Sequence, residues 1–300
     1  MIIIQLAGGL GNQMQQYALY EKFISLGREC KLDISWFTDH KNQETVYASR
    51  KLELDYFPNV TYQVCSEEEK RELLSNSTIV DKVLAKVFAS RKKVFCETEI
   101  YHPEIFEFED MYLQGYFACQ KYYDDIMDTL CQRFTFPESI NPENERMANE
   151  MQNGTSVSVH IRRGDYLDAV NQKMFGNICT DSYYKVAITR MKTTFPDARF
   201  YLFSDDMDYV RKNYRGEEYI PVEVNFGEDS YFDIYLMSRC KHNICANSTF
   251  SLWGARLNQN KGAVKIRPLK HKNSQNPTVE EMRNYWRGWE IIDAQGTVVR

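Results

Sequence analysis

The chain has 300 residues, 43% of them hydrophobic, with 37 Lys and Arg against 42 Asp and Glu for a net charge of −5. That composition supplies one large core or two ordinary ones and excludes a chain that stays disordered. It also lacks the broad basic surface of a sequence-independent nucleic-acid binder, so no nucleic-acid partner is expected and any anionic ligand must be met by a local cluster of Arg or Lys.

In chain order, Ile2 to Leu6 is a β-rich apolar run, followed by the turn Ala7-Gly8-Gly9-Leu10-Gly11. From Asn12 to Leu26 apolar residues recur at helical spacing (Met14, Tyr17, Ala18, Phe23, Leu26), with Gly27 as a stop. Cys30 to Ile34 reads as a second strand, which makes a β–turn–α–β opening typical of a parallel α/β sheet. Residues 40–150 are rich in charge and aromatics. Helical pieces fall around 66–90 and 120–133, and Tyr112 to Phe117 is an expected strand. The polar stretch from Asn141 to Gly154 reads as a boundary, giving an N-terminal domain over 1–150 and a C-terminal domain over 151–300.

Beyond it the alternation is cleaner. Strands are expected at Ser156–Ile161, Arg199–Phe203, Asn243–Ala246 and Ala263–Ile266, and helices at Ser182–Met191, Ser230–Cys240 and Phe250–Leu257. Such a series predicts a parallel sheet with helices on both faces. The segment 271–300 either crosses back to the first domain or packs where it stands.

No apolar run approaches the ~20 residues of a spanning helix, and the opening run is too short for a signal peptide. A cytoplasmic chain is therefore expected. In that setting the N-glycosylation patterns at Asn76, Asn153 and Asn247 carry no chemistry. None of the eight cysteines forms a C-x-x-C pair, and the five histidines are scattered. Free thiols, without a zinc site, are the expectation.

Ligands of an open parallel sheet bind beyond the carboxyl ends of its strands, so the residues just after each strand are the candidates. Three stretches stand out. His160-Ile161-Arg162-Arg163-Gly164-Asp165-Tyr166 sends two arginines off one strand end, and Arg is suited to bidentate phosphate binding. The alternative is a surface Arg pair with a salt bridge to Asp165. Asn247-Ser248-Thr249-Phe250 opens an apolar helix, whose unpaired N–H groups and hydroxyls suit a diphosphate, or it is an ordinary cap. Ser204-Asp205-Asp206 offers a carboxylate for guanine, an N-cap, or, with Asp208, a D-x-D cation site. The N-terminal turn is no P-loop, since no Gly-Lys-Ser/Thr follows, and Met14 replaces the third glycine of a dinucleotide fingerprint. It presents two amides, Asn12 and Gln13, expected to face the crevice.

Taken together, Gly8-Gly9-Leu10-Gly11-Asn12-Gln13-Met14, the His160–Tyr166 stretch, Tyr201–Asp206 and Asn247–Gly254 resemble glycosyltransferase family 11, the α-1,2-fucosyltransferases, from residue 1 to about 270. The H-x-R-R-x-D motif is shared with α-1,6- and protein O-fucosyltransferases. The resemblance implies a GT-B-like α/β fold of two Rossmann-type parallel-sheet domains facing a central cleft, the first on the acceptor side and the second binding GDP-β-L-fucose. It also implies inverting transfer to the 2-hydroxyl of a galactose, with no metal and no cofactor beyond the donor substrate. Carried over by motif, Arg162 holds the diphosphate, His160 and Arg163 support its loop, and Asp205 and Asp206 address the guanosine. Ser248, Thr249 and Phe250 complete the phosphate pocket, while Asn12 and Gln13 lie beside the reacting sugar. Asp165 is the candidate base, expected to be either that or the salt-bridge partner of Arg163. The partners implied are GDP-fucose and a β-galactoside oligosaccharide, with peripheral membrane association if that acceptor is lipid-linked. Animal members carry a membrane anchor; its lack here looks bacterial. Other readings are a different linkage or acceptor, a metal-dependent transferase using Asp206 and Asp208, and a noncatalytic nucleotide-sugar or glycan-binding module. Trp36, Tyr47, Trp286 and Trp289 are candidates for sugar stacking or, more simply, core.

Overall fold

The apolar opening forms strand β1 (Ile2–Gln5), with Ile2, Ile3 and Ile4 wholly buried. The chain then turns through Gly8, whose φ of 82° is left-handed, and enters helix α1 (Leu10–Ser25). This helix closes in a Schellman arrangement. Gly27 takes φ 69°, its N–H bonds the Ile24 carbonyl, and the Arg28 N–H bonds that of Phe23. Strand β2 (Cys30–Asp33) follows and pairs parallel to β1.

The computed structural model describes residues 1–39, 50–74, 93–139 and 141–299 and divides into two units, Met1–Thr135 and Phe136–Arg300. In the first, helix α2 (Glu67–Leu74) starts at a reciprocal cap: Ser66 Oγ accepts the Glu69 N–H, and the Glu69 carboxylate accepts the Ser66 N–H. The rest of the helix expected to 90 lies outside the described residues, as do Tyr47 and the Asn76 pattern. Strands β3 (Val94–Cys96) and β4 (Met111–Gln114) complete a parallel sheet of order β2-β1-β4-β3. Two 3₁₀ turns and helix α3 (Met127–Arg133) occupy the region expected as one helix over 120–133.

In the second unit the polar stretch read as a boundary is a helix, α4 (Pro142–Asn153). The Asn141 side chain caps the Glu143 N–H, Pro142 sits at the first helical position, and Met147, Ala148 and Met151 pack beneath. Three apolar residues in twelve gave too weak a periodicity to read. Strand β5 (Ser156–Ile161) is buried at all six positions, as befits the centre of a doubly covered sheet. Then come α5 (Ala169–Phe175), α6 (Asp181–Thr194), β6 (Arg199–Ser204), α7 (Met207–Asn213), β7 (Tyr219–Pro221) and α8 (Phe232–Arg239). β8 (His242–Ile244), α9 (Thr249–Arg256), β9 (Lys265–Pro268), α10 (Val279–Tyr285), β10 (Trp289–Ile292) and β11 (Val298–Val299) follow. The segment 271–300 thus stays with the second unit, where β10 pairs with β9.

The sheet runs β11-β10-β9-β8-β5-β6-β7, parallel except for β11. From β5 the chain builds outward through β6 and β7, then returns to β8 on the other side of β5 and builds outward again. This is the doubly wound Rossmann order, and its topological switch lies between β5 and β8. Val157, Val159, Phe200, Leu202, Ile244 and Ile266 form the core on one face of this sheet, each fully buried large side chain contributing ~1.5–3 kcal/mol. All eight cysteines are free thiols, Cys30, Cys119, Cys240 and Cys245 of them buried. Both units are thus α/β, each around a parallel sheet, in keeping with the fold class expected.

Candidate active site

The switch point fixes where to look. Strand β5 ends at Ile161 and delivers Arg162; the adjacent β8 ends at Ile244 and delivers Asn247 and Ser248, which opens α9. The two loops meet. The Tyr166 hydroxyl donates to the Asn247 carbonyl at 3.1 Å, and the His160 ring lies 5.9 Å from that of Phe250. The loops that carry the guanidinium candidate and the helix-start candidate are therefore in contact.

Arg162 is held by two carboxylates. Its Nε and one terminal nitrogen donate to Asp165 Oδ1 at 3.0 and 2.7 Å, and the other terminal nitrogen lies 2.9 Å from Asp205 Oδ2. The chain bends at Arg163 into the 3₁₀ turn at Gly164–Leu167, and that bend brings Asp165 back to Arg162. The Asp165 salt bridge is therefore to Arg162, not to Arg163, the partner that the sequence offers as the alternative to a base role. Of the five guanidinium N–H donors, three are used and two are left for a ligand.

Asp205 ties β6 to β5. Its Oδ1 accepts the backbone N–H groups of Arg163 and Gly164 at 2.9 and 3.0 Å. A Cβ on Gly164 would collide with that carboxylate, so glycine is required there by close approach. Asp206 accepts the Tyr209 N–H as the N-cap of α7 and pairs with Arg163 Nε at 3.0 Å. These contacts, the Tyr209 amide first and then Arg163, hold its carboxyl below the usual range. Arg163 also stacks on the Tyr209 ring at 3.7 Å. In this arrangement both aspartates brace the loop. Asp208 points into solvent beside Arg211, so the D-x-D residues turn to different partners.

His160 is 5% exposed, and burial, followed by the Arg162 charge, lowers its pKa to about 3. The imidazole is therefore neutral and adds no positive charge at neutral pH. Ser248 makes no capping bond with its side chain, and Ser248, Thr249 and Phe250 are all half-buried. The first N–H groups of α9, like those of any helix start, have no partner within the helix and are potential donors to an anion. Residues to which the sequence gave no role complete the frame. Tyr184 donates to the His160 carbonyl, and the Asn247 amide donates to the carbonyls of Phe175 and His271. Tyr166 and Asn247 both stand in the sequence stretches singled out above, whereas Tyr184 carries no local sequence signal.

In the first unit, Asn12 is half-buried on α1. Gln13, expected to face a crevice, points inward and is wholly buried. It donates to the Gly8 and Lys51 carbonyls and accepts the Glu53 N–H, clamping the turn to the following loop. Asp33 is likewise committed, to Tyr112 and Lys70. Trp286 is buried against Arg267 and Trp289, while Trp36 packs edge-on to Phe37. Among the described residues no group of three or more His, Cys, Asp or Glu gathers as a metal site, and no helix is long and apolar enough to cross a membrane.

Comparison with known proteins gives the family. The chain is 30% identical over 282 residues to an α-1,2-colitosyltransferase of Escherichia coli, covering 89% of this chain and 91% of that one. It is also 30% identical over 297 residues to the O-antigen biosynthesis glycosyltransferase WbnK of Escherichia coli, covering 88% and 93%. A galactoside α-(1,2)-fucosyltransferase 1 of Ateles belzebuth is 25% identical over 154 residues, 48% of this chain and 42% of that one. The family model of glycosyl transferase family 11 matches residues 1–293. The chain belongs to glycosyl transferase family 11.

Proposed function

We propose that the chain is an inverting, metal-independent galactoside α-1,2-fucosyltransferase, moving L-fucose from GDP-β-L-fucose to the 2-hydroxyl of a terminal galactose. The carrying observation is the convergence of Arg162 and the opening turn of α9 at the ends of adjacent strands, joined by the Tyr166–Asn247 hydrogen bond. Breaking the bond from fucose C1 to the diphosphate puts positive charge on the sugar and negative charge on the leaving group. The two spare Arg162 donors, the α9 N–H groups and the Ser248 and Thr249 hydroxyls meet that negative charge with donors fixed in advance. Phe250 and neutral His160 form the apolar back of the pocket, and Arg163 with Asp205 and Asp206 braces its rim. The acceptor hydroxyl attacks from the face opposite the diphosphate, which turns the β-linked donor into an α-fucoside. Its proton passes to Asp165 or to water; the Arg162 pairing of Asp165 favours water. A lipid-linked β-galactoside, as the O-antigen relative suggests, is the acceptor class that would bring the protein to a membrane surface.

The test is transfer to a β-galactoside from GDP-fucose in EDTA, followed by linkage determination. An α-1,2 product supports the reading. Loss of activity in EDTA points to a metal-dependent transferase, and no GDP release under any condition points to a noncatalytic binding module. One relative favours a second donor. Colitose is fucose without its 3-hydroxyl, and the colitosyltransferase is similar over nine-tenths of its length. A site that hydrogen-bonds the 3-hydroxyl would reject the deoxy donor strongly, whereas one that does not would take both, so the donor pair should be compared directly.

A further inference from the structure

We infer that the first unit carries an acceptor subsite built on the ring of Tyr116, against whose face a pyranose of the acceptor packs. The inference rests on the glycosyltransferase reading above and assigns the sugar side of that reaction to a particular side chain.

The loops leaving β1 and β4, neighbouring parallel strands at the centre of the first sheet, lie side by side at their carboxyl ends, the edge at which such sheets bind ligands. Gly8 is on the first loop and Tyr116 on the second. A Cβ added at Gly8 would sit 3.4 Å from the Tyr116 ring, so the backbone of one loop lies against the aromatic side chain of the other. Buried Gln16 fastens the pair, accepting the Ala7 N–H and donating to the Gly115 carbonyl.

The second loop is shaped to turn one aromatic out and the next in. The Glu97 carboxylate accepts the N–H groups of both Tyr116 and Phe117 at 2.9 Å. Phe117 takes φ 49°, a left-handed value unfavourable for a non-glycine residue, and its ring is wholly buried against Tyr122. That buried ring offsets the strain, and the consequence falls on its neighbour: Tyr116 is 49% exposed. A Tyr half in water, on a loop clamped by a carboxylate and backed by a glycine turn, is a rigid platform with an electron-rich face. The C–H groups on one side of a galactopyranose, weakly positive, suit such a face. Charge flanks it too: Arg50 lies beside Gly9 and lowers the phenol's tendency toward a raised pKa, which burial and Glu97 drive upward.

The experiment compares Tyr116→Ala, Tyr116→Phe and Tyr116→Trp in the full chain, each checked for an unchanged melting temperature. Transfer kinetics are read separately for the donor, GDP-fucose, and the acceptor, lactose. In parallel, saturation-transfer NMR reads lactose binding without any donor. The expected result is an acceptor KM raised about tenfold in Tyr116→Ala, the donor KM unmoved, near-wild-type values for the two aromatic variants, and a lost lactose signal in Tyr116→Ala alone. An acceptor KM within twofold of wild type in a folded Tyr116→Ala, or a rise of equal size in the donor KM, overturns the inference. Should wild type transfer nothing from GDP-fucose, the proposed reaction fails, and the NMR comparison still decides the subsite: lactose binding lost with the ring upholds it, and equal or absent binding in both proteins overturns it.

Discussion

An arginine held by two carboxylates is oriented before its ligand arrives. Arg162 has Asp165 along one edge and Asp205 at one tip, so little side-chain entropy is lost when a diphosphate takes its remaining donors. Arg162→Ala should lower kcat at least ~100-fold, the size seen when one fixed donor is removed elsewhere, and retention of more than a tenth of activity would remove it from that role. Arg162→Lys should not rescue, because an ammonium cannot satisfy both carboxylates and still present a fork. Asp165→Asn separates two roles. A base would lose turnover with GDP binding intact; a residue that holds Arg162 should weaken GDP binding as well. Its geometry argues for the second, with an expected loss of GDP affinity of about tenfold, the worth of one charge-assisted hydrogen bond, measured by calorimetry.

At the scale of elements, two glycines set how closely neighbours approach. Gly164 lets the β5 loop lie on Asp205, and Gly254 lets α9 lie on α8, where a Cβ would come within 2.6 Å of the Met237 Cβ. Gly254→Ala should cost roughly 1–3 kcal/mol and lower the melting temperature by several degrees while leaving the GDP affinity of the folded fraction near wild type. Gly164→Ala should do the reverse, a small change in melting temperature and a clear loss of GDP affinity, because the loop is exposed and can shift. The elements that the sequence displayed were those with a strong period or a continuous apolar run. Ser156–Ile161 was read to the residue, and α1, α6, β6 and α9 to within a few. Those hidden are short or polar: β3, β7 and β11 are three residues or fewer, and the buried face of α4 is Met147, Ala148 and Met151 together with the polar Asn144. At the candidate site, the sequence places Arg162 and Asp205 just after strands and Ser248 at a helix start, and the structure has them there. The spacing could not tell that Asp165 would turn under Arg162 or that Gln13 would point inward, because both depend on a 3₁₀ turn and a distant loop.

Over the whole molecule, buried titratable groups set the response to pH, and here two act in opposite senses. His160 has a folded pKa of about 3 against an ordinary value near 6.5. The unfolded chain therefore takes up its proton first, and stability is lost as pH falls from about 6.5 toward 3, by up to several kcal/mol. His271, lowered likewise by burial and then by Arg267, Lys272 and Arg256, adds to that loss. Asp233, on α8, runs the other way. Burial raises its carboxyl to about 7, against an opposing hydrogen bond from Asn225. Its contribution is complete below the ordinary carboxylate range near 4 and is lost as pH rises toward 7, because the unfolded chain ionises while the folded one resists. The wild-type curve should thus be flatter between pH 4 and 7 than the two histidines alone would make it. Asp233→Asn keeps the acceptor for Asn225 and removes the charge. It should be more stable than wild type at pH 8, equal to it near pH 4, and steeper in between. His160→Phe should blunt the acid loss. Urea melts of the three proteins at pH 4, 6 and 8 check both signs at once. Parallel curves for wild type and Asp233→Asn would show that Asp233 is already ionised in the folded chain, and so reached by water or a cation that its burial here denies it.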